Sequence, residues 1–132
     1  MNPLTILKHV SRLFVAASCL TCASADSTNV VHLDAKQAQK LIADQKPIIL
    51  DIRTPAEFAA GHIAGATNIN YSASNFEKAI ASLDKNQTYL LHCASGNRST
   101  RALPKFEKLE FKSIYHLDGG LRAWQKAGLP VE

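Results

Sequence analysis

The chain has 132 residues, 15 Lys and Arg against 11 Asp and Glu, a formal charge of +4 and 46% hydrophobic residues. That length suits one compact domain with a single core. The basic residues form no run or stripe, which argues against a nucleic-acid or anionic-membrane surface.

The first 25 residues differ in kind from the rest. Lys8 and Arg12 precede the apolar run Leu13-Phe14-Val15-Ala16-Ala17, which continues through Ser18-Cys19-Leu20 to Ala23-Ser24-Ala25. A charged head, a short apolar stretch and small residues before Asp26 read as a secretory signal peptide, residues 1–25, cleaved after Ala25. The stretch is too short to span a bilayer comfortably. Ala16-Ala17-Ser18 is a poor approach to a lipoprotein cysteine, which disfavours a lipid anchor on Cys19. Export would leave residues 26–132 as one domain, its charge lower by two and Cys93 its sole thiol. In an oxidising compartment an odd cysteine is buried, joined to another chain, or used.

Along that domain, short β-branched and aliphatic runs alternate with helical patterns. Val30-Val31-His32-Leu33 reads as a strand, and Asp34 caps a helix with Ala38, Leu41 and Ile42 on one side. Ile48-Ile49-Leu50, after Pro47, is a continuous apolar run of the kind buried on both faces. Thr54-Pro55-Ala56-Glu57 is a capping box with proline at the first helical position, and Gly61 ends that short helix. Ala66-Thr67-Asn68-Ile69 is a brief strand. Ser74 with Glu77 reads as a second capping box, before a helix presenting Phe76, Ile80 and Leu83. A fourth strand, Tyr89 to His92, leads through a cysteine loop into a helix ending near Leu109, within which Pro104 should cause a kink or early stop. Ser113 to Leu117 is the fifth strand, and Gly119-Gly120 turns into a last helix carrying Leu121 and Trp124, closed by Gly128 and Pro130. The alternation predicts an α/β fold: a five-stranded parallel sheet with helices on both faces, ligands gathering at the carboxyl ends of the strands. Cys93 and Asp51 both fall at such ends.

The loop Cys93-Ala94-Ser95-Gly96-Asn97-Arg98 lies between the fourth strand and the helix turn at Ser99-Thr100-Arg101. Gly96 allows a tight curl in which several N–H groups converge on one anion, and the helix start adds partial positive charge. Both favour thiolate over thiol, the form that attacks and carries sulfur.

The chain resembles the rhodanese family over nearly all of this domain. Leu50-Asp51-Ile52-Arg53 with Pro55, Glu57-Phe58, Gly61 through Ala66 and Asn68-Ile69 is similar to that family's first signature. Cys93 through Ser99 is similar to its active loop, and Leu117-Asp118-Gly119-Gly120-Leu121 with Ala123-Trp124 and Ala127 through Pro130 to its closing signature. With one such unit, the chain is similar to single-domain periplasmic sulfurtransferases. The resemblance implies that Cys93 takes the outer sulfur of thiosulfate or a similar donor as a persulfide and yields it to cyanide or a thiol, including a partner thiol protein. It implies that the amides of Ala94, Ser95, Gly96, Asn97, Arg98 and Ser99 bind the substrate, and that neither a metal nor an organic cofactor is needed.

Other readings of the same residues stay open. Arg98 closes the cradle or is a solvated arginine. Asp51 caps the Thr54 region or pairs with Arg53 to hold the loop, and Glu57 is a capping partner or also an ion-pair mate for Arg98. His92 alternates with Cys93 on the strand and so points to the opposite face. His62 sits in a glycine turn, Trp124 is core, and the histidines and thiol form no metal-ligand spacing in sequence. Glu110 stands where members of the family it resembles commonly carry a glycine, and if the backbone there is left-handed a non-glycine residue costs roughly 1 kcal/mol. Larger two-domain relatives carry cations near the sulfur where this chain has Ala94 and Ser95. Two rivals remain: a non-catalytic binding or regulatory module, and a cysteine-dependent phosphatase or arsenate reductase. The second uses a Cys-x5-Arg loop, one residue wider than Cys93 to Arg98.

Overall fold

A computed structural model describes residues 27–132, so the expected signal peptide and the Cys19 question lie outside the described residues. Ten elements alternate: β1 (Asn29–Leu33), α1 (Ala35–Gln45), β2 (Ile48–Asp51), α2 (Pro55–Ala59), β3 (Thr67–Asn68), α3 (Phe76–Ala81), β4 (Thr88–His92), α4 (Asn97–Lys108), β5 (Ser113–Leu117) and α5 (Gly120–Lys126). The five strands form one sheet in the order β1-β5-β4-β2-β3, with every pairing parallel.

Alternate residues on each strand divide the apolar side chains into two cores, as the two-residue period of a strand requires. On one face Leu50, Tyr89, Leu91 and Ile114 pack against Phe76 and Ile80 of α3 and Ala102, Leu103 and Phe106 of α4. On the other, Ile49, Leu90 and Leu117 pack against Ala38 and Leu41 of α1 and Leu121 and Trp124 of α5. Ile48, at the start of β2, is 39% exposed, so burial on both faces begins one residue later than the apolar run suggests.

Helix starts follow local chemistry where the side chain can reach an amide. Asp34 and Gln37 close a full capping box on α1, and Thr54 and Glu57 another on α2. Ser74 does not cap α3. That helix begins one residue later, after Asn75, with no side-chain cap, which puts Glu77 at the wrong offset, and its carboxylate pairs with Lys105 of α4 instead. Pro104 does not stop α4, which runs on to Lys108. The proline frees the carbonyl of Thr100, an exposed residue whose carbonyl water can satisfy. Glu110 has φ 62°, so the left-handed condition raised for it is met, and Lys46 has φ 47°.

Candidate active site

β4 ends at His92, and the chain turns at once, so Cys93 stands at the carboxyl edge of the sheet beside β2. Gly96, at φ 100°, occupies the residue before α4. An L side chain resists that backbone, and glycine alone lets the loop fold back over the sulfur. The Gly96 amide donates to Cys93 Sγ at 3.2 Å and the Ser99 amide, in the first turn of α4, at 3.4 Å. Ser99 Oγ lies 3.4 Å from the same sulfur.

Cys93 is 1% exposed and belongs to the apolar core under α4. Burial pushes its pKa up, but hydrogen bonds from the Ser99 hydroxyl and from the amides of Ser99, Gly96 and Ser95 outweigh it, leaving the pKa below that of an ordinary thiol. A short arc of dipoles, set by one turn of backbone, favours the thiolate over the thiol in an otherwise apolar place.

The predicted loop residues divide by role. Ser95, Gly96 and Ser99 serve the sulfur. Ala94 accepts the Arg122 amide at 3.0 Å, and the Cys93 carbonyl accepts the Leu121 amide at 2.9 Å, so the first turn of α5 clamps the loop from the far side. Gly120 makes this approach feasible: a Cβ there, at φ 60°, would stand 2.5 Å from the Cys93 carbonyl oxygen and 2.7 Å from the Ala94 carbonyl carbon. Asn97 is the exposed first residue of α4. The loop meets solvent at Asn97 and at half-buried Ala94, Ser95 and Arg98.

Arg98 turns from the sulfur toward α2, where both its terminal nitrogens donate to Glu57 at 2.8 Å. Glu57 thus takes both of its proposed roles, since its carboxylate also accepts from the Thr54 amide at 2.9 Å. The Arg98 fork, with the Thr54 amide next, lowers the Glu57 pKa to about 2. Behind this latch lies a buried ion pair. Arg53 Nη2 meets Asp51 Oδ2 at 2.6 Å, its Nε reaches both carboxylate oxygens, and its remaining donors go to the carbonyls of Glu57 and Gly61. Asp51 and Arg53 therefore pair with each other and tie down α2, with no hydrogen bond to the Cys93 sulfur.

His92 is fully buried, and its Nδ1–H donates to the Cys93 carbonyl at 3.0 Å, beneath the loop rather than beside the sulfur. Burial holds its pKa below the usual histidine value. His62 bonds the Phe58 carbonyl, and Trp124 is buried with its indole N–H on the Pro130 carbonyl.

The sequence reading missed the neighbours on the other side of Ser99. Its hydroxyl lies 2.7 Å from His116 Nε2, while His116 Nδ1 lies 2.8 Å from Asp118 Oδ1, and His32 Nδ1 is 2.7 Å from that same oxygen. His32 and Asp118 are exposed, whereas His116 is 2% exposed. The chain of polar atoms thus runs from the sulfur to the surface. Its members come from β1, α4 and β5 and the loop beyond, and β1 and β5 are brought together only by the sheet order.

Comparison with known proteins agrees with this architecture. The rhodanese-like domain profile matches residues 34–127. An uncharacterised protein of Synechocystis is 38% identical over 109 residues, covering 83% of this chain, which spans 59% of that relative's length. The thiosulfate sulfurtransferase GlpE of Pseudomonas putida is 36% identical over 102 residues, covering 76% of this chain and 89% of that protein. Among solved structures, a rhodanese-related protein from Thermoplasma volcanium superposes with a TM-score of 0.68 at 28% identity, covering 77% of this chain and 97% of its own. With a parallel sheet in this order, a cysteine loop at the end of β4 and a family match over most of its length, the chain belongs to the rhodanese-like domain family.

Proposed function

We propose that the protein is a sulfurtransferase working through a Cys93 persulfide. The observation that carries this reading is the set of donors on one buried sulfur, Gly96 N–H at 3.2 Å and Ser99 N–H at 3.4 Å, with a thiol pKa held below its ordinary value. The Cys93 thiolate attacks the sulfane sulfur of thiosulfate or a similar donor, the S–S bond breaks, and sulfite leaves with the bonding electrons. The persulfide anion keeps its charge within the arc of amides. Cyanide or an acceptor thiolate, including that of a partner protein, then takes the outer sulfur and restores the Cys93 thiolate. No proton or electron is gained or lost over the cyanide cycle. The thiosulfate sulfurtransferase name of the Pseudomonas relative supports this donor class.

Intact mass after incubation with thiosulfate tests the reading. The expected result is a gain of one sulfur atom, reversed by cyanide and absent in Cys93→Ala; no adduct with thiosulfate or a thiosulfonate donor would overturn it. The phosphatase reading is disfavoured by Arg98, whose guanidinium is forked onto Glu57 instead of facing the loop's interior. Hydrolysis of a chromogenic phosphate ester, lost in Cys93→Ser, would reverse that judgement. A regulatory role without turnover is disfavoured by the intact cysteine and its donors. We further propose export to the periplasm on the strength of residues 1–25, testable by cell fractionation and N-terminal sequencing of the mature protein.

A further inference from the structure

In the parallel pairing of β1 with β5, His32 stands opposite His116, and Asp118 follows two residues on. The Asp118 amide donates to the Leu33 carbonyl at 2.9 Å, fixing it beside the end of β1. The two Nδ1 atoms are 3.3 Å apart, and Asp118 Oδ1 lies 2.7 and 2.8 Å from them. We propose that His32, His116 and Asp118 bind one divalent cation of the zinc class, in an open site completed by water.

Three features point to a cation rather than to hydrogen bonds alone. The first is size. Zinc binds imidazole nitrogen at about 2.0–2.1 Å, so neighbouring ligands of a tetrahedral ion stand roughly 3.3 Å apart, which is the observed Nδ1–Nδ1 separation. The carboxylate needs only to draw back by about half an ångström, and its side chain is 56% exposed, with the two histidines as its described side-chain partners.

The second feature is the conflict between the two rings. If both Nδ1 atoms carry hydrogens, two N–H groups crowd one oxygen across 3.3 Å; if one does not, its lone pair faces a carboxylate. A cation accepts all three lone pairs and removes the conflict. The third feature is the back of His116. This ring is 2% exposed and its Nε2 lies 2.7 Å from Ser99 Oγ, a partner that orients the ring from behind as outer hydrogen bonds do in metal sites. Metal at Nδ1 leaves the hydrogen on Nε2, which then donates to Ser99 Oγ. Two imidazoles and a carboxylate favour zinc, cobalt or nickel over magnesium or calcium. The site eluded the sequence because its two histidines lie 84 residues apart.

Binding here does not require the Cys93 chemistry, and the test keeps the two separate. Untagged full-length protein with Cys19, Cys22 and Cys93 all changed to Ser removes every thiolate competitor. Calorimetric titration with zinc chloride should saturate at one equivalent, and cobalt(II) should give the visible bands of a low-symmetry nitrogen and oxygen site without thiolate charge transfer. In that background the exposed changes His32→Ala and Asp118→Ala should each weaken zinc at least about tenfold, and Ser99→Ala about tenfold, whereas His62→Ala should leave it unchanged. Zinc binding that survives both His32→Ala and Asp118→Ala, that depends on His62, or that is absent at millimolar zinc overturns the proposal.

Discussion

Ser99→Ala separates the side-chain donor at the sulfur from the backbone donors. The substitution removes the hydroxyl 3.4 Å from Cys93 Sγ and keeps the Ser99 and Gly96 amides. A hydrogen bond to a charged group contributes about 1.5–3 kcal/mol. At this distance the lower figure applies, equivalent to about one pH unit in the thiol pKa. The same change strips His116 Nε2 of its partner at 2.7 Å, and a buried polar atom left alone costs about 1–3 kcal/mol of stability. In a domain of this size that lowers Tm by about 4 °C or more. The assay is the rate of iodoacetamide alkylation against pH, with a chelator present, read by intact mass. The parent should show a midpoint below about 8.5, the free-thiol value. Ser99→Ala should move it up by about one unit, so that less thiolate remains at neutral pH, and Ser99→Thr should restore it. A lowered Tm with an unmoved midpoint would refute the reasoning, because the hydroxyl hydrogen would then serve His116 or the Gly96 carbonyl and the amides alone would hold the thiolate.

Three further outcomes follow from neighbouring geometry. Gly120→Ala forces a Cβ to within 2.5 Å of the Cys93 carbonyl oxygen at φ 60°, so urea unfolding should show a loss of about 3 kcal/mol and the Cys93 midpoint should rise as the loop is displaced; a loss under about 1 kcal/mol would mean that the clamp yields easily. Glu57→Gln removes a carboxylate whose pKa Arg98 lowers from 4.5 to about 2. The depressed pKa contributes stability that is fully present above about pH 4.5 and lost as pH falls toward 2. The variant should therefore trail the parent by about 0.5–1 kcal/mol at neutral pH, as a partly exposed pair allows, and converge with it in acid; a constant gap would contradict this linkage. Glu110→Gly relieves a left-handed backbone at φ 62° but gains freedom when unfolded, so calorimetry should record a net rise of about 0.5 kcal/mol, or 2–4 °C in Tm, and any fall would show that Glu110 is unstrained.

The parts of the fold that could be read in advance depend on short-range chemistry. Thr54 and Glu57 are three residues apart, as are Asp34 and Gln37, and a capping box needs nothing beyond that spacing. The motif fails at Ser74 because α3 starts one residue later, with Phe76 buried in the core at its first position, which leaves Glu77 out of reach of a box and free to pair with Lys105. In the cysteine loop, Gly96 and the helix start announced an anion cradle, whereas the share of each amide depended on how far the loop curls. The reach of Arg98 to Glu57, 41 residues earlier, appeared only as one of two alternatives. His116 and His32 gave no sign, since only the order β1-β5-β4 places them side by side and next to Ser99.

The charge balance around the sulfur bears on what the loop recognises. Arg98 is the one cation of the cysteine loop, yet Glu57 takes both of its terminal nitrogens, so the pair adds little net charge. The dipoles of Gly96, Ser95 and Ser99 do the stabilising, and they are strongest when water is kept away. Burial of Cys93 therefore acts in two directions: it raises the thiol pKa and it strengthens the donors that lower it. In the proposed transfer the negative charge moves one atom outward from thiolate to persulfide, beside backbone amides that α4 fixes and α5 clamps in place. A mobile lysine would have to follow that charge, whereas a rigid arc of peptide N–H groups is already in place for a sulfur that, in the proposed reaction, is held and then released.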